Sequence, residues 1–221
     1  YCGPSLCNTP QSELTNRFVK ALVSGATNLH VLNCANNRFL TDADVLLMVT
    51  KLVYLTELDV SNCGKLGDDS LNAIATTKND DMVSLKAARN DNFTAQGASV
   101  LMLHCTKLVL LDLSFCKKID FLGMIVRSSN GVLTQYVTRD LKRLYLNGCV
   151  GLEYSHLTAN YIVSALGTLT HVEMAGVQCV DDQFVFSLLM GAPFLESLDV
   201  SGCKLVSDES VKYMGTMAKA S

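Results

Sequence analysis

The side chains best suited to catalysis or metal binding in this 221-residue chain are nine cysteines and four histidines. A thiolate beside an imidazole can act as a nucleophile or a metal ligand, and His104 directly precedes Cys105. The cysteines do not follow the C-x-x-C spacing of metal and redox sites, however, and the other histidines are scattered. We therefore interpret His104 and Cys105 as structural. The sequence predicts no catalytic residue, no metal site and no cofactor.

Composition and the absence of known motifs argue against several classes of function. The sequence contains no glycine-rich phosphate loop, no nucleophile elbow and no H-E-x-x-H pair, so we expect a protein without enzymatic activity. With 18 basic against 21 acidic residues the net charge is −3, which argues against nucleic-acid binding. No apolar run reaches the roughly 18 residues of a membrane span. Unpaired cysteines at an odd count favour a reducing compartment, the cytoplasm or the nucleus.

A short pattern of apolar residues recurs along the chain. Numbering the first apolar residue of each repeat as position 1, positions 4, 6, 12 and 17 are apolar in all seven repeats. Successive repeats start 26 to 28 residues apart, except for a step of 33 between the fourth and the fifth. The seven starting residues are Leu29, Leu55, Met82, Leu108, Leu141, Leu169 and Leu195.

Each repeat is predicted to be a strand, a turn and a helix, because leucines alternate at positions 4 and 6 and further apolar residues follow at helical distance. A single repeat cannot bury its own apolar face, so the repeats must stack and share one core. We predict one continuous α/β domain over residues 29–221, with a partial N-terminal repeat over 1–28. Four aspartates fall where helices should begin, and we expect each to cap its helix: Asp42, Asp68, Asp182 and Asp208.

Position 9 of the repeat accounts for four of the nine cysteines. Asn and Cys share this position, where a small side chain can turn inward and hydrogen-bond to a buried bend. We therefore predict buried structural thiols. The residues at position 9 are Asn37, Cys63, Asn90, Cys116, Cys149, Val177 and Cys203.

The pattern L-x-x-L-x-L-x-x-(N/C)-x-x-L resembles the leucine-rich repeat, and the 26-residue step with Cys at position 9 resembles the cysteine-containing subfamily. Residues 105–120, CTKLVLLDLSFCKKID, are the segment most similar to that subfamily's longer motif. The resemblance implies a right-handed solenoid, a horseshoe with a concave parallel β-sheet and helices on the convex side. It also implies a protein-recognition module, with the substrate receptors of F-box ubiquitin ligases as the best-known examples. A structural or scaffold subunit of a larger assembly, and a GTPase activator of the Ran-activating kind, remain alternatives.

The concave surface of such a fold is formed by the strand residues between the inward leucines. Tyr, Arg and Phe dominate interface energetics, and the middle of the predicted arc gathers all three. We call this set the concave centre: Lys86, Arg89, Leu110, Asp112, Phe115, Arg143 and Tyr145. Asp59, Glu173 and Asp199 flank it and are expected to select a basic segment of a protein partner, although Asp at this position can also simply solvate the sheet. The insertion at residues 127–140 is either a loop that closes over the same ligand or a tolerated surface loop.

Overall fold

The structure, a computed structural model, describes residues 16–120, 140–152, 167–210 and 212. Within these ranges the strands are short and the helices about three turns long. In chain order the elements are α1 (Asn16–Gly25), β1 (Val31–Asn33), α2 (Asp42–Lys51), β2 (Glu57–Asp59), α3 (Asp68–Thr77), β3 (Ser84–Lys86), α4 (Ala95–His104), β4 (Leu110–Asp112), β5 (Arg143–Tyr145), β6 (His171–Glu173), α5 (Asp182–Gly191) and β7 (Ser197–Asp199). The 127–139 part of the predicted insertion lies outside the described residues.

The seven strands form one parallel sheet in sequence order, β1 to β7. Every strand covers positions 3 to 5 of its repeat, and neighbouring strands pair without a register shift, for example Leu85 with Leu111 and Leu111 with Leu144. Parallel strands lie about 4.8 Å apart, whereas packed helices need 8–10 Å. The stack therefore curves, with the sheet on its concave side and the helices on its convex side. This is the predicted α/β solenoid.

The core is a column of side chains from position 4 of each strand. From Leu32 to Val172 these residues are at most 2% exposed. The core continues through positions 1 and 6 and through the apolar faces of the helices, including Val45, Leu71 and Val185. In the seventh repeat the corresponding Leu198 is only partly buried, because β7 is the last strand of the sheet among the described residues.

In five repeats the side chain at position 9 is hydrogen-bonded to the preceding repeat. The thiol of Cys116 donates to the carbonyl of Ala87, which occupies position 6 of the preceding repeat, at 3.4 Å. The equivalent bonds of the other three position-9 cysteines measure 3.2–3.3 Å. Asn90 makes the same bond through its amide, to the carbonyl of Val60 at 3.0 Å. Cys and Asn are thus interchangeable here because each supplies a hydrogen-bond donor to the buried carbonyl of the preceding repeat.

The prediction that the aspartates at the helix starts cap their own helices is wrong for Asp42 and Asp68. The helices α2, α4 and α5 are capped by Thr41, Thr94 and Asp181, whose side chains accept hydrogen bonds from backbone N–H groups of the first turn. Asp42 and Asp68 instead reach across to the next repeat: Asp42 accepts from the N–H of Gly67 at 2.9 Å, and Asp68 from that of Thr94 at 2.8 Å. Gly67 and Thr94 are the cap residues of the next helices, so the carboxylates fasten one helix start to another.

The same contact explains a glycine within a helix. A Cβ atom at Gly97 of α4 would lie 2.4 Å from a carboxylate oxygen of Asp68. Glycine inside a helix costs about 1 kcal/mol relative to alanine. Here that cost allows Asp68 to reach the start of α4.

Candidate protein-binding surface

The register of the sheet brings the ten predicted surface residues onto one side of the molecule. At position 5, Lys86, Asp112 and Tyr145 stand on neighbouring strands and are paired in register. Asp59 precedes this row, and Glu173 and Asp199 follow it. At position 3, Leu110 pairs with Arg143. Arg89 and Phe115 lie in the turns just beyond β3 and β4.

The aspartates of this row have a local structural role. One carboxylate oxygen of Asp112 accepts from the backbone N–H of Ser114 at 2.9 Å. Asp59 and Asp199 likewise accept from the backbone N–H groups of Ser61 and Ser201, at 3.0 and 2.8 Å. The hydrogen bond from the Ser201 side chain, and to a smaller extent that from its backbone N–H, holds the pKa of Asp199 below its usual value. The side chains of Asp59, Asp112 and Asp199 therefore close the turns after β2, β4 and β7, in addition to placing negative charge on the concave face.

Position 8 has an unusual backbone conformation in every repeat. All seven residues there have φ between 57° and 73°, the left-handed region that favours glycine and asparagine. This conformation points the N–H of position 8 at the position-7 carbonyl of the next repeat, at 2.6–2.8 Å in the first six repeats. It thus extends the ladder of hydrogen bonds beyond the end of the strands. The seven residues are Asn36, Asn62, Arg89, Phe115, Gly148, Gly176 and Gly202.

Arg89 and Phe115 are the exceptions in this row, because neither residue type is suited to left-handed backbone. They lie in adjacent repeats, and the guanidinium carbon of Arg89 is 4.2 Å from the centre of the Phe115 ring. The ring is 40% exposed. Gly148 of the next repeat lies close to the same ring, since a Cβ atom there would come within 2.5 Å of it. The Phe115 ring therefore packs against the repeats before and after its own while remaining open to a ligand.

Sequence reasoning placed both residues on the surface but missed their conformation and their contact. The signal was present in the other members of position 8, which are all Asn or Gly. A position that holds only Asn and Gly in five repeats indicates left-handed backbone, and large side chains at the same position then mark a strained site.

The cysteines and histidines do not form a reactive site among the described residues. Burial raises the pKa of the Cys105 thiol to about 12, so the thiolate needed for chemistry next to His104 is disfavoured. Burial likewise raises the pKa of Cys116 to about 12 and that of Cys63 and Cys149 to about 11. The described parts of the chain contain no cluster of three or more His, Cys, Asp or Glu side chains able to hold a metal ion. In the same residues, no helix is both long and apolar enough to cross a membrane.

Comparison with known proteins agrees with this geometry. A leucine-rich repeat family model matches residues 51–75 and 191–215. An internalin from Listeria monocytogenes has a similar structure, with a TM-score of 0.55 and 19% sequence identity over 81% of this chain. The chain spans 43% of that internalin structure, so the likeness concerns the fold.

Two further solved structures show weaker likeness. The tropomodulin C-terminal domain from Caenorhabditis elegans gives a TM-score of 0.46 at 8% identity, covering 92% of this chain and 96% of that one. The yeast Rad7–Elc1 complex gives 0.37 at 16% identity, covering 90% and 73%. No curated protein sequence matches the chain. The two matched segments are similar to leucine-rich repeats, and the stacked strand–helix units give the described residues the α/β solenoid fold of such repeats.

Proposed function

We propose that this protein is a recognition module without enzymatic activity and that its concave centre binds a protein partner. The observation that carries the proposal is the Arg89–Phe115 pair. Left-handed backbone costs a non-glycine residue about 1 kcal/mol or more, and this pair bears that cost twice at an exposed place. Backbone strain of this kind is concentrated at functional sites, and exposed Arg and aromatic side chains are the usual energetic centres of protein interfaces.

The surroundings of the pair fit the same role. Leu110, Arg143 and Tyr145 stand on the adjoining strands, on a face formed by regular β-structure rather than by loops. A rigid face presents its side chains with little loss of entropy on binding. The carboxylates of Asp59, Glu173 and Asp199 extend to both sides, and we propose that they favour a basic stretch of the partner.

A finer assignment is the substrate-binding part of an F-box type ubiquitin-ligase receptor. It is supported by the cysteine-containing repeat pattern, in which the thiol of position 9 donates to the preceding repeat. Such a receptor would work in a reducing compartment, where these thiols stay free. The alternative is a fixed structural subunit whose concave face is permanently occupied by a neighbour in a larger complex.

The double variant Arg143→Ala/Tyr145→Ala tests the binding surface. Lys51→Ala/Tyr54→Ala is a matched control, because it removes an exposed cation and an exposed tyrosine at the opposite end of the strands. Each protein would be used to capture partners from cell extract, with quantitative mass spectrometry as the readout. We expect the first variant to capture at least tenfold less partner than the wild type, and the control to capture the same amount as the wild type. Equal capture by both variants, with unchanged melting temperatures, would refute the proposal.

The finer assignment needs a separate measurement. If the protein is an F-box type receptor, the full-length gene product should bind a ubiquitin-ligase adaptor directly, as measured with purified components. A partner that resists exchange and co-purifies at fixed stoichiometry, with no adaptor binding, would instead establish the structural subunit.

A further inference from the structure

Charge is segregated between the sheet and the turns that follow it. We call positions 8 to 11 of the repeats the rim turns. All seven are described, and together they carry six basic residues and one acidic residue: Arg38, Lys65, Arg89, Lys117, Lys118 and Lys204 against Asp91. Positions 3 and 5 on the concave face have the opposite balance, with five acidic and two basic residues. A chain that is acidic as a whole thus has a basic edge beside an acidic face.

Most of the rim charge is not neutralised within the protein. Asp91 is paired with Lys117, at 2.7 Å. Among the described residues, no other ion pair involves a rim turn. Arg89, Lys65 and Lys118 are all exposed, so their charges are available to a ligand.

Two of these cations are held in place by aromatic rings of neighbouring repeats. Arg89 lies over Phe115, and the amine of Lys65 is 5.5 Å from the ring centre of Phe39 in the first repeat. A ring below a cation restricts its side chain but leaves its N–H donors free to face outward. A carboxylate that approaches the rim would therefore meet donors whose positions are already restricted, which lowers the entropic cost of binding.

We propose that the rim turns of repeats one to four bind an acidic peptide segment of the partner. This inference rests on the proposed function, because the rim adjoins the concave centre through Arg89 and Phe115. With strands about 4.8 Å apart, the rim from Arg38 to Lys118 covers roughly 14 Å, which about five residues of extended peptide can span. The partner thus presents an acidic stretch to the rim and its remaining contacts to the concave centre.

A nucleic acid is the competing polyanion, and the charge pattern disfavours it. The phosphate backbone is a continuous line of negative charge, and it would have to lie beside the acidic concave face. A short acidic peptide can keep its carboxylates on the rim and turn neutral or basic residues toward the sheet.

The test uses three probes with a fluorescent label: deca-glutamate, deca-lysine and a ten-residue oligothymidylate, each measured by fluorescence anisotropy at low and moderate salt. The rim variant is Lys65→Glu/Lys118→Glu. The control is Lys51→Glu/Lys107→Glu, which changes the net charge equally but places it at the opposite ends of the strands. We expect deca-glutamate to bind the wild type and to bind the rim variant at least tenfold more weakly, with less than a threefold change in the control. Binding should also weaken as salt rises.

Three outcomes would overturn the inference: no binding of deca-glutamate to the wild type, equal loss in both variants, or tighter binding of the oligothymidylate. The Arg143→Ala/Tyr145→Ala variant separates this inference from the proposed function. If it still binds deca-glutamate but no longer captures its partner, both proposals stand. If partner capture survives that variant while the rim variant loses deca-glutamate, the proposed function fails and the rim site remains. If the Arg143→Ala/Tyr145→Ala variant loses partner capture while the rim variant binds deca-glutamate as well as the wild type does, the rim site fails and the proposed function remains.

Discussion

Positions 8 and 9 of the repeat are neighbours in sequence and obey opposite rules. Position 9 is buried in every repeat, and in five of the seven its side chain donates to a carbonyl of the preceding repeat. Position 8 points away from the core, and its backbone must be left-handed so that its N–H can reach the next repeat. One position is restricted by hydrogen bonding and volume, the other by backbone conformation alone.

The two positions tolerate different departures from their rule. At position 9 Val177 replaces a donor by a methyl group and remains fully buried, so packing can compensate for one lost bond. At position 8 the departures are Arg89 and Phe115, which lie in adjacent repeats and touch each other. The buried position thus varies by substitution of side chains that still fill the core, whereas the exposed position varies at the surface that we propose binds a partner. The following predictions test this contrast.

The largest expected effect is a loss of stability at high pH that acts through the buried thiols. An ordinary cysteine pKa is 9.0, and burial raises it to about 11 for Cys63 and about 12 for Cys116 in the folded protein. The unfolded chain thus loses these protons first. The thiols do not change the stability below about pH 9. Above it they lower the stability as the pH rises through 11, by up to about 1.4 kcal/mol per pH unit for each such thiol.

Denaturant unfolding at pH 8, 9, 10 and 10.5 measures this loss. We expect a decline of several kcal/mol, since several thiols contribute. Position 8 contains no cysteine, so its contacts should not add to the decline. A flat profile up to pH 10.5 would show that the position-9 thiols are not buried as described.

The second prediction concerns Asn90, the most fully bonded residue of position 9. Its amide donates to the carbonyls of Val60 and Ala87, and its oxygen accepts from the N–H of Cys63 at 2.9 Å. Asn90→Ala leaves the carbonyl of Val60 and the N–H of Cys63 without these partners, whereas the carbonyl of Ala87 keeps the Cys116 thiol. We therefore expect a loss of about 4 kcal/mol in the free energy of unfolding. Asn92→Ala, two residues away and exposed, is the control and should cost less than about 1 kcal/mol. Similar losses for the two variants would contradict the special role of position 9.

A third variant asks how much the thiol hydrogen bond alone contributes. Cys116→Val keeps a small buried side chain, as Val177 does naturally, but removes the bond to the carbonyl of Ala87. We expect a loss of about 1 kcal/mol at pH 8. The difference from the wild type should shrink above pH 9, because this variant has one titrating thiol fewer. A constant difference across that range would mean that Cys116 does not contribute to the alkaline loss.

The regular parts of the molecule could be predicted from the sequence because they depend on periodicity. Leucines at positions 4 and 6 alternate as a strand requires, so the register of the sheet and the rows containing Asp112 and Arg143 followed directly. The thiol positions could be predicted for the same reason, since Cys and Asn alternate at one place in the repeat.

The features that could not be predicted depend on contacts between repeats. Asp42 and Asp68 were expected to cap their own helices, and their bonds to the next repeat depend on how far the helix starts lie apart, which no single repeat encodes. The stacking of Arg89 on Phe115 was missed for a related reason. Neither residue type indicates left-handed backbone, so the turn that brings them together is visible only from the Asn and Gly of the other repeats.

The smallest expected effect on stability is at position 8, and it separates structure from function most clearly. Arg89→Asn installs the residue that the first two repeats already have there. The change relieves about 1 kcal/mol of backbone strain and removes a cation–π contact of about 0.5–1 kcal/mol, so the free energy of unfolding should change by no more than about 0.5 kcal/mol. Binding of the captured partner should nevertheless fall at least tenfold, because the guanidinium is lost. Asn36→Ser is the control, since it changes the same position two repeats away. If Arg89→Asn instead destabilises the protein by 2 kcal/mol and leaves binding intact, Arg89 supports the fold, and the contrast between the two positions disappears.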